Sequence, residues 1–128
     1  MKSPTVVLMS MLVTLLASAC ATTQPITEPV LVVEAFHDAL NSGDLDAAMS
    51  YVTDHAKFIT DNVYIGKAEV RDFFQGEVDR NIHYQLSGLK LEGDIVTWNV
   101  HATSDLSGFE NPAEALVQGG KIVSFTDL

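Results

Sequence analysis

The sequence predicts an α+β domain in which three helices lead into a bent, mostly antiparallel sheet. Three observations carry the prediction. Apolar residues recur at helical spacing between Val30 and Val52 and again from Lys67 to Asp79. From Ile82 to Thr126 the spacing changes to the two-residue alternation of strands, and glycines punctuate the joins.

In the first helix Val33, Phe36 and Leu40 form the apolar stripe. Gly43 can take the left-handed conformation that ends it. Asp44 can then cap the N–H groups of a second helix, whose stripe is Leu45, Ala48, Met49 and Val52. Ala56 to Ile59 reads as a short strand, with a turn through Asp61 and Asn62. Gly66 leads into the third helix, Lys67 to Asp79, with Val70, Phe73, Phe74 and Val78 on its buried side. Ile82, Tyr84 and Leu86 share one strand face, but Leu89 and Leu91 fall out of phase, the slip that a β-bulge at Gly88 produces. After the turn at Glu92-Gly93-Asp94, apolar Val96, Trp98, Val100 and Ala102 alternate with Thr97, Asn99, His101 and Thr103. Ser104 to Pro112 reads as a loop. Ala113–Gln118 and Ile122–Thr126 form a last hairpin across Gly119-Gly120.

The 128 residues suffice for one small domain, and the formal net charge is −10. No basic stripe is available to neutralise phosphates, which excludes nucleic acid as a partner. Residues 1–19 read as a leader: Lys2 supplies a positive start, and the apolar run Val6 to Leu16 falls short of the roughly 20 residues that span a bilayer. Small residues before Cys20 (Leu16-Ala17-Ser18-Ala19) resemble a bacterial lipobox, with Ala17 standing where Leu is commoner. Cys20 is the single cysteine, so no internal disulfide accounts for it. The expectation is a lipoprotein whose acylated Cys20 anchors it to the cell envelope, with palmitate among its chains. Ala21 at the following position suggests an outer membrane facing the periplasm. Residues 20–28 are then the lipidated cysteine and a polar tether, and residues 29–128 the globular domain.

The stretches ALNSGDLDAAMSYV, DHAKF and GKAEVRDFF resemble the nuclear transport factor 2-like superfamily, in particular its SnoaL-like members. The resemblance runs from about Pro29 to Leu128. It implies a cone-shaped barrel, three N-terminal helices packed on a curved sheet, with a pocket at the wide end and a polar outer face, carrying Asn99 and His101, on which homodimers of this fold pack. Its members include isomerases, epoxide hydrolases, polyketide cyclases and dehydratases.

The family's chemistry transfers poorly at the residues that carry it elsewhere. The position matching the first-helix tyrosine of ketosteroid isomerases is Phe36. Their general base falls on Thr60, with Asp61 one place away, and their protonated aspartate falls at Pro112 or Ala113. The Asp–Arg–Asp set of the epoxide hydrolases needs an arginine inside the cone. The available Arg71 and Arg80 sit among acids on the third helix, where surface ion pairs are as good a reading.

Asp61, Asp105, Glu110, His37, His55 and His101 are the remaining titratable candidates. Asp61 and His55 also suit turns, His37 suits a helix flank, and His101 sits opposite Trp98. No metal-ligand spacing or phosphate loop is present, so no cofactor is expected. The sequence therefore points to a non-catalytic envelope lipoprotein whose cone binds a small apolar ligand through Phe36, Phe58, Tyr84 and Trp98, or mediates protein association. The alternative is a SnoaL-like acid–base enzyme acting on a small hydrophobic substrate, with Asp61 as its candidate base.

Overall fold

The computed structural model of the chain describes residues 24–128. The leader and Cys20 lie outside the described residues. Helix α1 (Pro29–Asn41) starts with proline at its first position, and the Glu28 carboxylate accepts from the N–H groups of Val30 and Leu31 at 3.3 and 3.0 Å. Gly43, at φ +74°, ends it as expected. The Asp44 side chain accepts from Ala47 N–H at 3.0 Å to open α2 (Leu45–Ser50).

Two strands follow before the last helix. β1 (Val52–Ile59) and β2 (Val63–Ile65) form a hairpin, and only then comes α3 (Lys67–Asp79). The expected block of three N-terminal helices is thus corrected: β1–β2 divides the second from the third. β1 also starts at Val52, four residues before the expected strand, because Val52 is fully buried and pairs with Ile122. β3 (His83–Glu92), β4 (Ile95–Thr103), β5 (Gly108–Gln118) and β6 (Lys121–Asp127) complete the sheet. β5 takes in half of the expected Ser104–Pro112 loop, since Gly108 to Pro112 pair with Thr103 to Asn99 of β4.

The six strands run in the order β2-β1-β6-β5-β4-β3, and the sheet is curved and does not close. All neighbours are antiparallel except β1 and β6, which run parallel with Phe58 opposite Phe125. The register of β3 on β4 shifts between Ser87 and Lys90, where Gly88 takes φ +64°. The bulge read from the sequence is there, and it bends the sheet around the helices.

The core lies between the concave face and the helices. Phe36 packs edge-on against Phe74 at 5.3 Å between ring centres and against Phe58 at 6.2 Å, while Phe58 stacks on Phe125 at 5.0 Å. Phe36 and Phe58 have no solvent exposure. Replacing Phe36 by Ala is expected to cost about 3–5 kcal/mol through lost burial and the cavity left behind. Asp44→Ala, which removes only the α2 cap, is expected to cost about 1 kcal/mol. Urea unfolding of the two variants checks the contrast, and equal losses would place Phe36 outside the packing centre.

Candidate functional site

At one end of the cone the ends of β1 and β6 meet the β4–β5 loop and the C-terminal turn of α3. They surround an open vestibule of about 1080 Å³. Its floor, formed by Thr60, Phe73, Glu77, Phe109 and Asp127, continues into an inner chamber of about 30 Å³ that also touches His37 and Tyr84. That inner volume holds one or two water-sized groups.

Where the sequence predicts apolar walls, the structure brings titratable groups together. Glu77 lies three residues after Phe74 and four after Phe73, so it continues the buried stripe of α3, and it is only 8% exposed. The Arg80 guanidinium pairs with Glu77 Oε1 one turn on, and the Tyr84 hydroxyl donates to Glu77 Oε2 at 3.3 Å. Asn41 holds the Tyr84 backbone in place: its side-chain amide donates to the Tyr84 carbonyl at 2.8 Å and accepts from its N–H at 2.7 Å. Burial, then the charge and hydrogen bond of Glu77, push the Tyr84 hydroxyl well above the usual tyrosine range; it is a proton donor at any physiological pH.

Asp127 follows Phe125 by two residues on β6 and shares its inward face. Its Oδ1 is buried and has no hydrogen-bond partner among the described residues. Burial, then the charges of Glu77 and Asp61, raise its carboxyl to about 6. A carboxyl so tuned can give or take a proton near neutral pH.

His37 corrects the sequence reading most plainly. It is not a flank residue of α1: four residues after Val33, it is 3% exposed and T-stacked on Phe36, Tyr84 and Trp98. Its Nδ1 lies 2.8 Å from the Val33 carbonyl, which can only accept, so Nδ1 carries the hydrogen and Nε2 the lone pair. Burial pushes His37 down to about 4, outweighing the Val33 bond and the Asp38 charge that act upward. It is neutral at pH 7.

The other candidates separate cleanly. Asp61 lies exposed at the vestibule rim, where its Oδ1 accepts from the Thr60 hydroxyl at 2.8 Å. Asp105 is on the same rim, whereas Glu110, His55 and His101 are exposed and line neither cavity. Of the four aromatics expected to line a ligand cavity, Tyr84 lines the inner chamber. Phe36, Phe58 and Trp98 are buried in the core and line neither space, and Trp98 Nε1 is buried without a partner. Arg71 pairs across helices with Asp46 at 2.5 Å. Among the described residues no group of three His, Cys, Asp or Glu side chains is arranged to hold a metal ion.

The profile of the SnoaL-like domain family matches residues 33–127. The chain belongs to the SnoaL-like domain family. Solved structures agree on the fold. An uncharacterized cystatin fold protein from Novosphingobium aromaticivorans is 21% identical, with 79% of this chain and 97% of that one covered and a TM-score of 0.72. An LEH-like epoxide hydrolase from M. tuberculosis is 18% identical over 79% of this chain and 81% of that one, with a TM-score of 0.70. A computationally designed 17-OHP binder, 12% identical over 78% and 88%, has a TM-score of 0.71. At such identities the likeness is one of fold, a fold that one of these proteins uses as an epoxide hydrolase and another as a designed binder. Among curated proteins no sequence matches the chain.

The raised Asp127 carboxyl gives a signature in stability. Between about pH 4 and 6 the folded SnoaL-like domain keeps a proton that the unfolded chain has released, so this residue's contribution falls as pH rises through that window. His37 has the opposite slope, since the folded state stays neutral between about pH 4 and 6.5 while the unfolded chain is protonated. Asp127→Asn removes only the first effect. Relative to wild type the variant is expected to gain stability from pH 4 to 6 and to hold that gain above it. Urea unfolding at stepped pH measures the difference, and a flat one would mean that Asp127 has an ordinary carboxyl.

Proposed function

We propose that this SnoaL-like domain is an acid–base catalyst for a small hydrophobic molecule that enters through the vestibule. The observation that carries the reading is Asp127: an inward carboxyl, unpartnered at Oδ1 and raised to about 6, in one chamber with Glu77, Tyr84 and His37. Asp127 is the proton-transfer group. Tyr84, anchored through Asn41, gives its one hydroxyl proton to Glu77, which Arg80 also holds, so the three fix the polar wall beside Asp127. Asp61, the base expected from the sequence, acts here through its charge on Asp127. Tyr64, Phe73, Phe109 and Leu106 supply the apolar walls that hold the substrate body. A binding role without turnover is the second reading, favoured by the same walls and by the small size of the inner chamber.

A panel of small epoxides and ketones, assayed for turnover, tests the first reading. Asp127→Asn is expected to lower kcat about 10²–10⁴-fold with a small change in KM. Compounds that bind wild type and variant alike, with no conversion by either, would leave binding as the function.

We further propose that the domain works as an envelope lipoprotein anchored through Cys20. The tether supports an orientation for it. The Ile26 carbonyl lies against Gly120 so closely that a Cβ there would approach to 2.7 Å. Gly120 immediately precedes β6 and Asp127 closes it, so the two lie roughly 20 Å apart at about 3.3 Å per residue. Such a tether leaves from the end opposite the vestibule, so the vestibule faces away from the membrane. Palmitate labelling is expected for wild type and to be lost in Cys20→Ser; an unlabelled wild type removes the anchor.

A further inference from the structure

The unsatisfied polar groups of the inner chamber have one character: they are acceptors. Asp127 Oδ1 is buried without a partner. His37, more than nine-tenths buried, turns Nδ1–H back onto the Val33 carbonyl, which leaves the Nε2 lone pair as the ring's free function. Of the donors beside the chamber, the Tyr84 hydroxyl and the Arg80 guanidinium both bond Glu77, while Trp98 Nε1–H, unpartnered in the core next to His37, does not line the chamber. The vestibule adds charge of one sign, with Asp61, Glu77, Asp105 and Asp127 against Arg80 alone. Its walls are aromatic, with Tyr64 and Phe73 only 4.7 Å apart between ring centres.

From these observations we infer that the ligand is an apolar primary amine, bound as its ammonium ion with the head between Asp127 and His37 and the body against the vestibule aromatics. An ammonium carries donors and no acceptor, which matches what the chamber leaves unsatisfied. It supplies the positive charge that the four carboxylates lack, and aromatic faces attract it further. An anion is repelled by the same carboxylates, and a neutral alcohol offers a single donor. The chamber volume of about 30 Å³ admits an NH₃⁺ head but not a trimethylammonium group. The inference rests on the acid–base reading in one respect: it takes Asp127 as the group at which the ligand's reactive end sits.

The test is a matched series, 4-phenylbutylamine, 4-phenylbutanol, 4-phenylbutyrate and (4-phenylbutyl)trimethylammonium. Each is titrated calorimetrically into the full-length protein in phosphatidylcholine nanodiscs, with empty nanodiscs as the blank. The primary amine is expected to bind at least tenfold more tightly than the alcohol and the quaternary ion, and at least a hundredfold more tightly than the carboxylate. In Asp127→Asn the amine's advantage over the alcohol is expected to shrink to within threefold. An alcohol, carboxylate or quaternary ion that binds as well as the amine overturns the inference, and so does a series in which nothing binds. Failure here is separable from failure of the catalytic reading. Loss of neutral-substrate turnover in Asp127→Asn without amine preference sinks the ligand class alone, whereas amine preference without any turnover supports the ligand class and sinks catalysis.

Discussion

The parallel pairing of β1 with β6 is the constraint on which the molecule depends. It joins the start of the domain to its end, with Phe58 opposite Phe125 and Ile59 opposite Thr126. One residue further along each strand, Thr60 reaches the mouth beside Asp127, and the Asp61 turn follows. The pairing also stacks the Phe58 and Phe125 rings, on which Phe36 and Phe74 close the core. Core and site therefore share one register, because a one-residue slip of β6 would turn Phe125 out of the core and Asp127 out of the chamber together.

That shared register places polar groups where packing would favour apolar ones. Glu77, His37 and Asp127 all occupy positions whose periodicity belongs to the core. Desolvating such groups costs free energy unless partners are supplied, and the structure supplies them unevenly. Glu77 has Arg80 and Tyr84, and His37 has the Val33 carbonyl, while Asp127 keeps a buried oxygen without a partner. A carboxylate left in this state favours its protonated form, which is why its pKa rises. Stability alone gives no reason for Asp127 here. A hydrophobic residue facing Phe125 would pack with less cost, so proton transfer or ligand capture is the sounder explanation.

The same logic divides what the sequence revealed from what it concealed. The first and third helices, the Gly43–Asp44 break, the Gly88 bulge and the Gly119-Gly120 hairpin are local events written in spacing and turn chemistry, and each appears where the residues put it, whereas the second helix stops at Ser50 and yields Val52 to β1. The β1–β6 pair is not local, and nothing in either strand names its partner, so the strand and turn read between the second and third helices give no sign of β2 or of the parallel pairing with β6. The site was half legible. Tyr84 was found as an aromatic on an inward strand face. His37 reads from the sequence as a helix flank, and Glu77 and Asp127 stay unmarked, because nothing in their own segments shows that these helix and strand faces converge on one cavity. Their signal was present all the same: His37 follows Val33 by four, Glu77 follows Phe74 by three, and Asp127 follows Phe125 by two. Titratable residues at core periodicity, on three elements that converge at one end of a cone, mark a site in a way that no single one of them does.

The depth order of these groups bears on what the site can accept. Farthest in, His37 is held neutral by aromatic neighbours, so it adds a lone pair but no fixed charge. Above it stand Glu77 and Asp127, and Arg80, the one cation lining the vestibule among the described residues, is tied to Glu77 with most of its side chain in water. Leu106 and Leu128 form an exposed apolar rim outside them. A protonated His37 would neutralise the carboxylates from within and lower Asp127 back toward its ordinary range. Because burial keeps that histidine neutral, the chamber keeps the negative potential of its carboxylates, and the proposed capture of an apolar ammonium ion rests on that potential.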